Sequence, residues 1–153
     1  MKTIVLILAI SLSLSATGCR QLKPVLRGVQ TLWPLVEAIG LEGEDICVRY
    51  APRPADSPAA LQMADLCIEA DPAQLQQISK EHGSEAELFV WLHELAHLKQ
   101  YYEPAPFQEN KADQIASCTL QKMGLPLVNV REWLTEKYGA DRSVSSSCPL
   151  FLQ

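Results

Sequence analysis

His93-Glu94-Leu95-Ala96-His97 sets two imidazoles four residues apart with a carboxylate next to the first. On an α-helix this spacing keeps both rings on one face, offset by about 40° with a rise of roughly 6 Å, so both reach a single ion. Imidazole nitrogen is a preferred zinc ligand. The HExxH order puts Glu94 on the adjacent flank, where it suits a general base acting on water at the metal rather than a third ligand. The competing reading is a pair of hydrogen-bonded core histidines. Against it stand the fall of two of the chain's three histidines within this one motif and the strength of the helical pattern around it.

That pattern comes from the elements that must position the motif. Ser84 followed by Glu87 reads as a capping box, and Leu88, Phe89, Trp91, Leu92, Leu95, Ala96 and Leu98 form a largely apolar, helix-favouring run. A helix from about Glu85 to Tyr101, buried on most sides, is expected. A catalytic zinc keeps three protein ligands, so a third must come from elsewhere. Pro104 and Pro106 break the helix, and a second helical pattern runs from Phe107 to Ala116. Folding back as a helix-turn-helix, this second helix can aim Glu109, in its first turn, at the histidine pair. Ala112 and Ala116 allow close approach, and Asp113 lies one turn beyond Glu109 on the same face. Glu103 is the rival third ligand, at the position of the third His in HExxHxxGxxH. That pattern needs Gly at position 100 for its turn, and the chain has Gln100. A dinuclear carboxylate site needs two Glu-x-x-His pairs, and only Glu94 to His97 supplies one.

HExxH followed by Glu109-x-x-Ala112-Asp113 resembles the gluzincin superfamily of zinc metallopeptidases, and the short gap and small chain are similar to its minimal members, the minigluzincins. The resemblance spans about thirty residues, His93 to roughly Met123. It implies zinc held by His93, His97 and Glu109, with Glu94 as base and proton shuttle. It also implies that Asp113 accepts a ring N–H of His93, so that the other nitrogen faces the metal. A zincin-like helical core and hydrolysis of a protein or peptide substrate follow from the same likeness, as does an edge strand that pairs with the substrate backbone, here Leu66 to Glu69. Tyr101, Tyr102, Tyr138 and His82 are the candidate donors to the oxyanion.

The ends of the chain address where such a protein would work. Lys2 precedes an apolar run from Ile4 to Leu14 that is too short for a comfortable membrane span and has the layout of a secretory signal. Ala16-Thr17-Gly18-Cys19 resembles a bacterial lipobox, which implies removal of residues 1–18 and lipidation of Cys19. The expected location is the bacterial cell envelope, lipid-anchored at the outer membrane and facing the periplasm. An ordinary signal peptide or an uncleaved anchor is the alternative. Cys47, Cys67, Cys118 and Cys148 remain, an even number that allows three pairings in an oxidising compartment. Residues 46–50 and 66–69 read as short strands whose antiparallel pairing would set Cys47 beside Cys67, leaving Cys118 to tie the Ser-rich tail through Cys148. Without Lys2 the chain carries 12 basic and 18 acidic residues, a net charge of −6. With no basic patch, nucleic acid is an improbable class of partner, and membrane attachment would have to come from the lipid.

Residues 19–44 form an N-terminal segment, with one or two short helices from Pro24 to Ile39 interrupted at Pro34, and residues 45–153 a compact domain. Residues 51–58 read as a loop between the two strands. Asp71, Pro72 and Gln74 mark the start of a helix running to about Lys80, and Leu127 to Tyr138 a last amphipathic helix. The expected fold is α+β, mostly helical, with a small antiparallel strand pair on the metal-bearing helices. The function expected is zinc-dependent peptide-bond hydrolysis at the envelope. The alternative is a zinc-stabilised, non-catalytic lipoprotein acting as a binding or adaptor module.

Overall fold

A computed structural model describes residues 32–104 and 106–139, together with Arg142, Val144 and Cys148. The signal segment 1–18, Cys19 and most of the Ser-rich tail lie outside the described residues. The order is α1 (Trp33–Ile39), β1 (Cys47–Tyr50), β2 (Ala59–Gln62), β3 (Cys67–Ala70), α2 (Pro72–His82), α3 (Ser84–Tyr102), α4 (Glu109–Lys122) and α5 (Val128–Tyr138). The fold is α+β and mostly helical, as the periodicities predict. No helix among the described residues is long and apolar enough to cross a membrane.

α3 is the axle. Ala86, Trp91, Leu92, Leu95, Ala96 and Leu98 are wholly buried along it, because α1, α2, α4, α5 and β2 all pack against it. α4 makes the most extensive contact with it, and its Ala112 and Ala116 are both fully buried. With only a methyl group to accommodate at these positions, the two backbones come near enough for short carboxylates on α4 to reach rings on α3. Pro34 sits in the first turn of α1, where its missing N–H costs nothing, and Lys99 of α3 caps the far end of α1 by donating to the carbonyl of Ile39 at 2.7 Å. Leu32, Leu35, Val36 and Ile39 thus join the same core as α3 and α4.

The sheet departs from the expected strand pair. Its order is β1-β3-β2, with β1 parallel to β3 and β2 antiparallel to β3. Cys47 and Cys67 are in register and joined by a disulfide, but across a parallel pair rather than an antiparallel one. A disulfide between facing residues does not reveal strand direction. The intervening strand was hidden because Ala59-Ala60-Leu61-Gln62 carries no β-branched or aromatic residue. It forms because the turn at residues 63–66 folds it back on β3, with Leu66 at φ +54° and Asp65 accepting from the N–H of Cys67 at 3.3 Å. As a consequence β3 is the central strand. Leu66 to Glu69 is therefore not a free edge, and the edge facing the helices is β2.

Two helix starts also differ in detail. Asp71 caps α2 as expected, accepting from the N–H groups of Ala73 and Gln74. Gln74 does not complete a reciprocal box; its amide instead donates to the carbonyls of Arg53 and Pro54 and to Asp71. The Ser84–Glu87 box does not form, since α3 begins at Ser84 itself behind Gly83, at φ +86°, with no side-chain cap. Glu87 is drawn into the core, where burial pushes its carboxyl pKa up.

Candidate metal centre

His93 and His97 project from the middle of α3, each 8% exposed, with ring centroids 4.6 Å apart and planes at 88°. Their Nε2 atoms face each other at 3.0 Å. Glu109, the first residue of α4, places Oε2 at 3.2 Å from His93 Nε2 and Oε1 at 3.3 Å from His97 Nε2. These are the three residues that the sequence nominated as ligands, and together they form a group that can hold a metal ion. Three atoms bound at 2.0–2.1 Å in tetrahedral geometry lie about 3.3 Å from one another, so the spacing of the donors fits an ion at their centre. Two imidazole nitrogens pointed at each other at 3.0 Å, with an anionic oxygen beside both, also form a donor set that a divalent cation would satisfy.

The turn between the helices is held by Gln100. Buried to 1% exposure, it accepts from the N–H of Gln108 at 2.9 Å through Oε1 and donates to the Gln108 carbonyl at 3.3 Å. The side chain that replaces the glycine of the rival pattern therefore fixes where α4 begins, and with it Glu109. Glu103 turns away to pair with Lys111 and is not part of the metal group.

Asp113, 3% exposed, accepts from His93 Nδ1 at 2.8 Å. That bond holds the His93 ring with Nδ1–H on Asp113 and Nε2 toward the other donors, the arrangement the resemblance implied. Burial works to lower the pKa of His93. The carboxylates of Asp113 and Glu109 outweigh it and raise the value to about 9 without a metal. Glu109 is drawn down to about 2, chiefly by its hydrogen bond with His93. Asp113 stays below its ordinary range because the His93 and Arg142 bonds overcome its burial. His97 moves downward through burial and the neighbouring His93 charge, and its Nδ1 has no partner among the described residues.

Glu94 lies on the flank expected of it, 7% exposed, with Oε2 accepting from the N–H of Leu61 on β2 at 2.7 Å. The register explains the contact. Asp71 N–H bonds the Pro58 carbonyl, so the backbone groups of Ala60 and Gln62 face β3 while those of Ala59 and Leu61 face outward, over α3. Burial pushes the pKa of Glu94 up against the pull of His93 and the Leu61 N–H.

One residue of the site escaped the sequence. Arg142 forks onto Asp113, Nε to Oδ2 at 2.8 Å and Nη2 to Oδ1 at 2.9 Å. Its Nη2 also lies 3.5 Å from both His93 ring nitrogens and from Glu109 Oε2. It comes from the tail beyond α5, where no periodicity marks a position. The only signal was a lone arginine between Gly139 and the disulfide of Cys148 with Cys118. Of the four proposed oxyanion donors, only Tyr138 lines the cleft of about 380 Å³ that opens over His93, Glu94 and His97. Tyr101 and Tyr102 are exposed at the end of α3, and His82 faces Glu136 at 3.7 Å. Compared with known protein families, curated proteins and solved structures, the chain matches none.

Proposed function

We propose that the chain is a zinc metallopeptidase of gluzincin type that works outside the cytoplasm. The observation that carries this reading is Glu94. A purely structural metal site would close on a fourth ligand and would have no use for a buried carboxylate beside it. Here the fourth side is a cleft, and Glu94 stands at its floor.

His93, His97 and Glu109 would hold the ion, which when bound supplies Lewis-acid polarisation of a carbonyl and a more acidic water. The remaining steps belong to the chain. Glu94 takes a proton from the attacking water and delivers it to the leaving amine, and its burial, which raises its proton affinity, suits that exchange. Asp113 keeps His93 oriented. β2 offers the outward N–H of Ala59 and C=O of Leu61 as a template for an extended substrate, the Leu61 N–H being held by Glu94 and the Ala59 carbonyl by Ser57 Oγ; the resemblance had assigned this role to Leu66 to Glu69.

Both disulfides support an oxidising compartment and hence export. Lipidation at Cys19 would hold the domain at the bacterial envelope, with residues 1–18 removed. Glu94→Gln tests the reading. The amide keeps the size of the side chain and an oxygen for the Leu61 N–H, so fold and zinc stoichiometry persist while peptide turnover falls by roughly 10²- to 10⁴-fold. Zinc retention with no turnover by the unmodified protein across a broad peptide library would favour the binding module instead.

A further inference from the structure

We propose that the metal cleft runs on past Tyr138 and Asp56 into a second groove between α2 and α5, so that the substrate is a long polypeptide held over several residues on the carboxyl side of the bond that is cut. This rests on the peptidase reading above and names its substrate class.

α2 presents one stripe to this groove. Gln74, Gln77, Ile78, Glu81 and His82 recur at the three- and four-residue spacing of a helix face. α5 faces them with Trp133, Glu136 and Lys137 at the same spacing. The space between the two helices is about 460 Å³, against about 380 Å³ over the histidines. Buried Ile78 and Trp133 supply an apolar floor, and the other side chains supply a polar rim, the composition of a binding groove.

The two spaces adjoin. Trp133 is a wall of both, and the residues on either side of the join are chain neighbours: Asp56 and Tyr138 line the metal cleft, Ala55 and Lys137 the groove. The strip between them is the contact of the Tyr138 hydroxyl with the Asp56 carbonyl at 3.4 Å, and both residues are exposed. A chain leaving the metal cleft on that side therefore lies across this strip and enters the groove.

Direction follows from the backbone groups that β2 leaves free. With the Leu61 N–H on Glu94 and the Ala59 carbonyl on Ser57 Oγ, the Ala59 N–H and the Leu61 carbonyl remain. A strand antiparallel to β2 uses both: its residue opposite Leu61 donates, and its residue opposite Ala59 accepts. A parallel strand, bonding around the residue opposite Ala60, would need the two groups already occupied. The substrate thus runs against β2, and its carboxyl side leads from Leu61 past Ala59 and Pro58 to Asp56. Length follows from the same path. The Leu61 N–H marks Glu94, and so the bond to be cut. From Leu61 back to Pro58 is roughly 10 Å of extended chain, and from Gln74 to His82 roughly 12 Å along α2. At roughly 3.3 Å per residue, about seven residues beyond the bond cover both.

The test uses end-blocked peptides built around one apolar core and extended stepwise on either side, with zinc-loaded protein and product masses recorded. Extension on the carboxyl side raises kcat/KM by roughly 10- to 100-fold and levels off at about seven residues, whereas extension on the amino side gives less. Gln77→Trp puts a bulky ring into the groove from an exposed position and brings the ratio of long to short substrates toward one; Glu81→Trp, one turn on, does the same. A second readout needs no turnover. Zinc-loaded Glu94→Gln protein, titrated calorimetrically, binds the longest carboxyl-side peptide at least about tenfold more tightly than the shortest, and adding Gln77→Trp erases the difference. Cleavage with no dependence on length, or a gain confined to amino-side extension, would overturn the proposal and leave the peptidase reading standing. Equal calorimetric affinity for long and short peptides would overturn it even if nothing were cleaved. Length-dependent binding that Gln77→Trp erases, in a protein whose unmodified form cleaves no peptide, would keep the groove and sink the peptidase reading.

Discussion

Asp113→Asn tests the linkage between the metal group and the residue behind it, and its effect should change with pH. In the metal-free protein His93 has a pKa of about 9, so at pH 7 a metal must displace a proton held about 2 pH units above ambient. At 1.36 kcal/mol per unit this costs about 3 kcal/mol, on the order of 100-fold in apparent affinity. Much of that grip belongs to Asp113, 2.8 Å from His93 Nδ1. Asparagine keeps an oxygen for the ring N–H but removes the charge, so the pKa falls toward its ordinary 6.5 and proton competition at pH 7 largely disappears. The same change deprives the metal-bound ring of its carboxylate acceptor, which costs roughly 10- to 100-fold in intrinsic metal affinity. The two effects oppose each other at pH 7 and separate above pH 9, where the proton has already left the native protein.

Competitive titration with a chromophoric chelator should therefore show zinc affinities within about tenfold of each other at pH 7, and Asp113→Asn weaker by roughly 10- to 100-fold at pH 9.5. Thermal melting in chelator supplies the sign check. A histidine whose folded pKa is raised contributes stability in full below its unfolded value of 6.5, and this is lost as pH rises through about 9. The apo variant should thus melt below the apo native protein at pH 6 and approach it at pH 9.5. An affinity ratio that is the same at pH 7 and pH 9.5, or no change at either, would refute the assignment of Asp113 as the group that sets the state of His93.

Glu109→Ala should abolish stoichiometric zinc after gel filtration, whereas Glu103→Ala, which frees only Lys111, should leave it; metal analysis of the two variants decides between them. Replacing Cys118 and Cys148 together by alanine opens a crosslink between residues 30 apart and should lower unfolding free energy by about 3.5 kcal/mol, read from denaturant midpoints. Glu87→Gln should be close to neutral in acid. It should become stabilising as pH rises through the raised pKa of Glu87, because the buried native side chain must then ionise without solvent; urea midpoints at pH 4.5 and pH 8 check the crossover.

What the sequence disclosed about the site follows from the kind of order it records. His93, Glu94 and His97 lie on α3, and Glu109 and Asp113 on α4, where spacing fixes the face within each set, and the two sets meet once Pro104 and Pro106 impose the reversal. Helical geometry turns such spacing directly into proximity. The sheet carries less. A strand of Ala, Ala, Leu and Gln has no β signature of its own and is held by its neighbour, so neither its existence nor its place at the edge was visible. The direction of β1 against β3 was equally hidden, since facing cysteines can be joined across either a parallel or an antiparallel pair.

Arg142 shows the limit most clearly. No helix or strand carries it, and its position depends on contacts rather than on local pattern: the Asp113 fork, the Tyr138 ring, and the tail's return to α4 through Cys148 and buried Val144. The metal group is therefore written in one stretch of α3 and α4, whereas the groups that would choose a substrate come from β2, the end of α5 and the tail. On the proposed reading, chemistry and selectivity have separate structural origins. Changes in the tail or in the loop around Asp56 can alter what enters the cleft while His93, Glu94, His97 and Glu109 stay where the two helices put them.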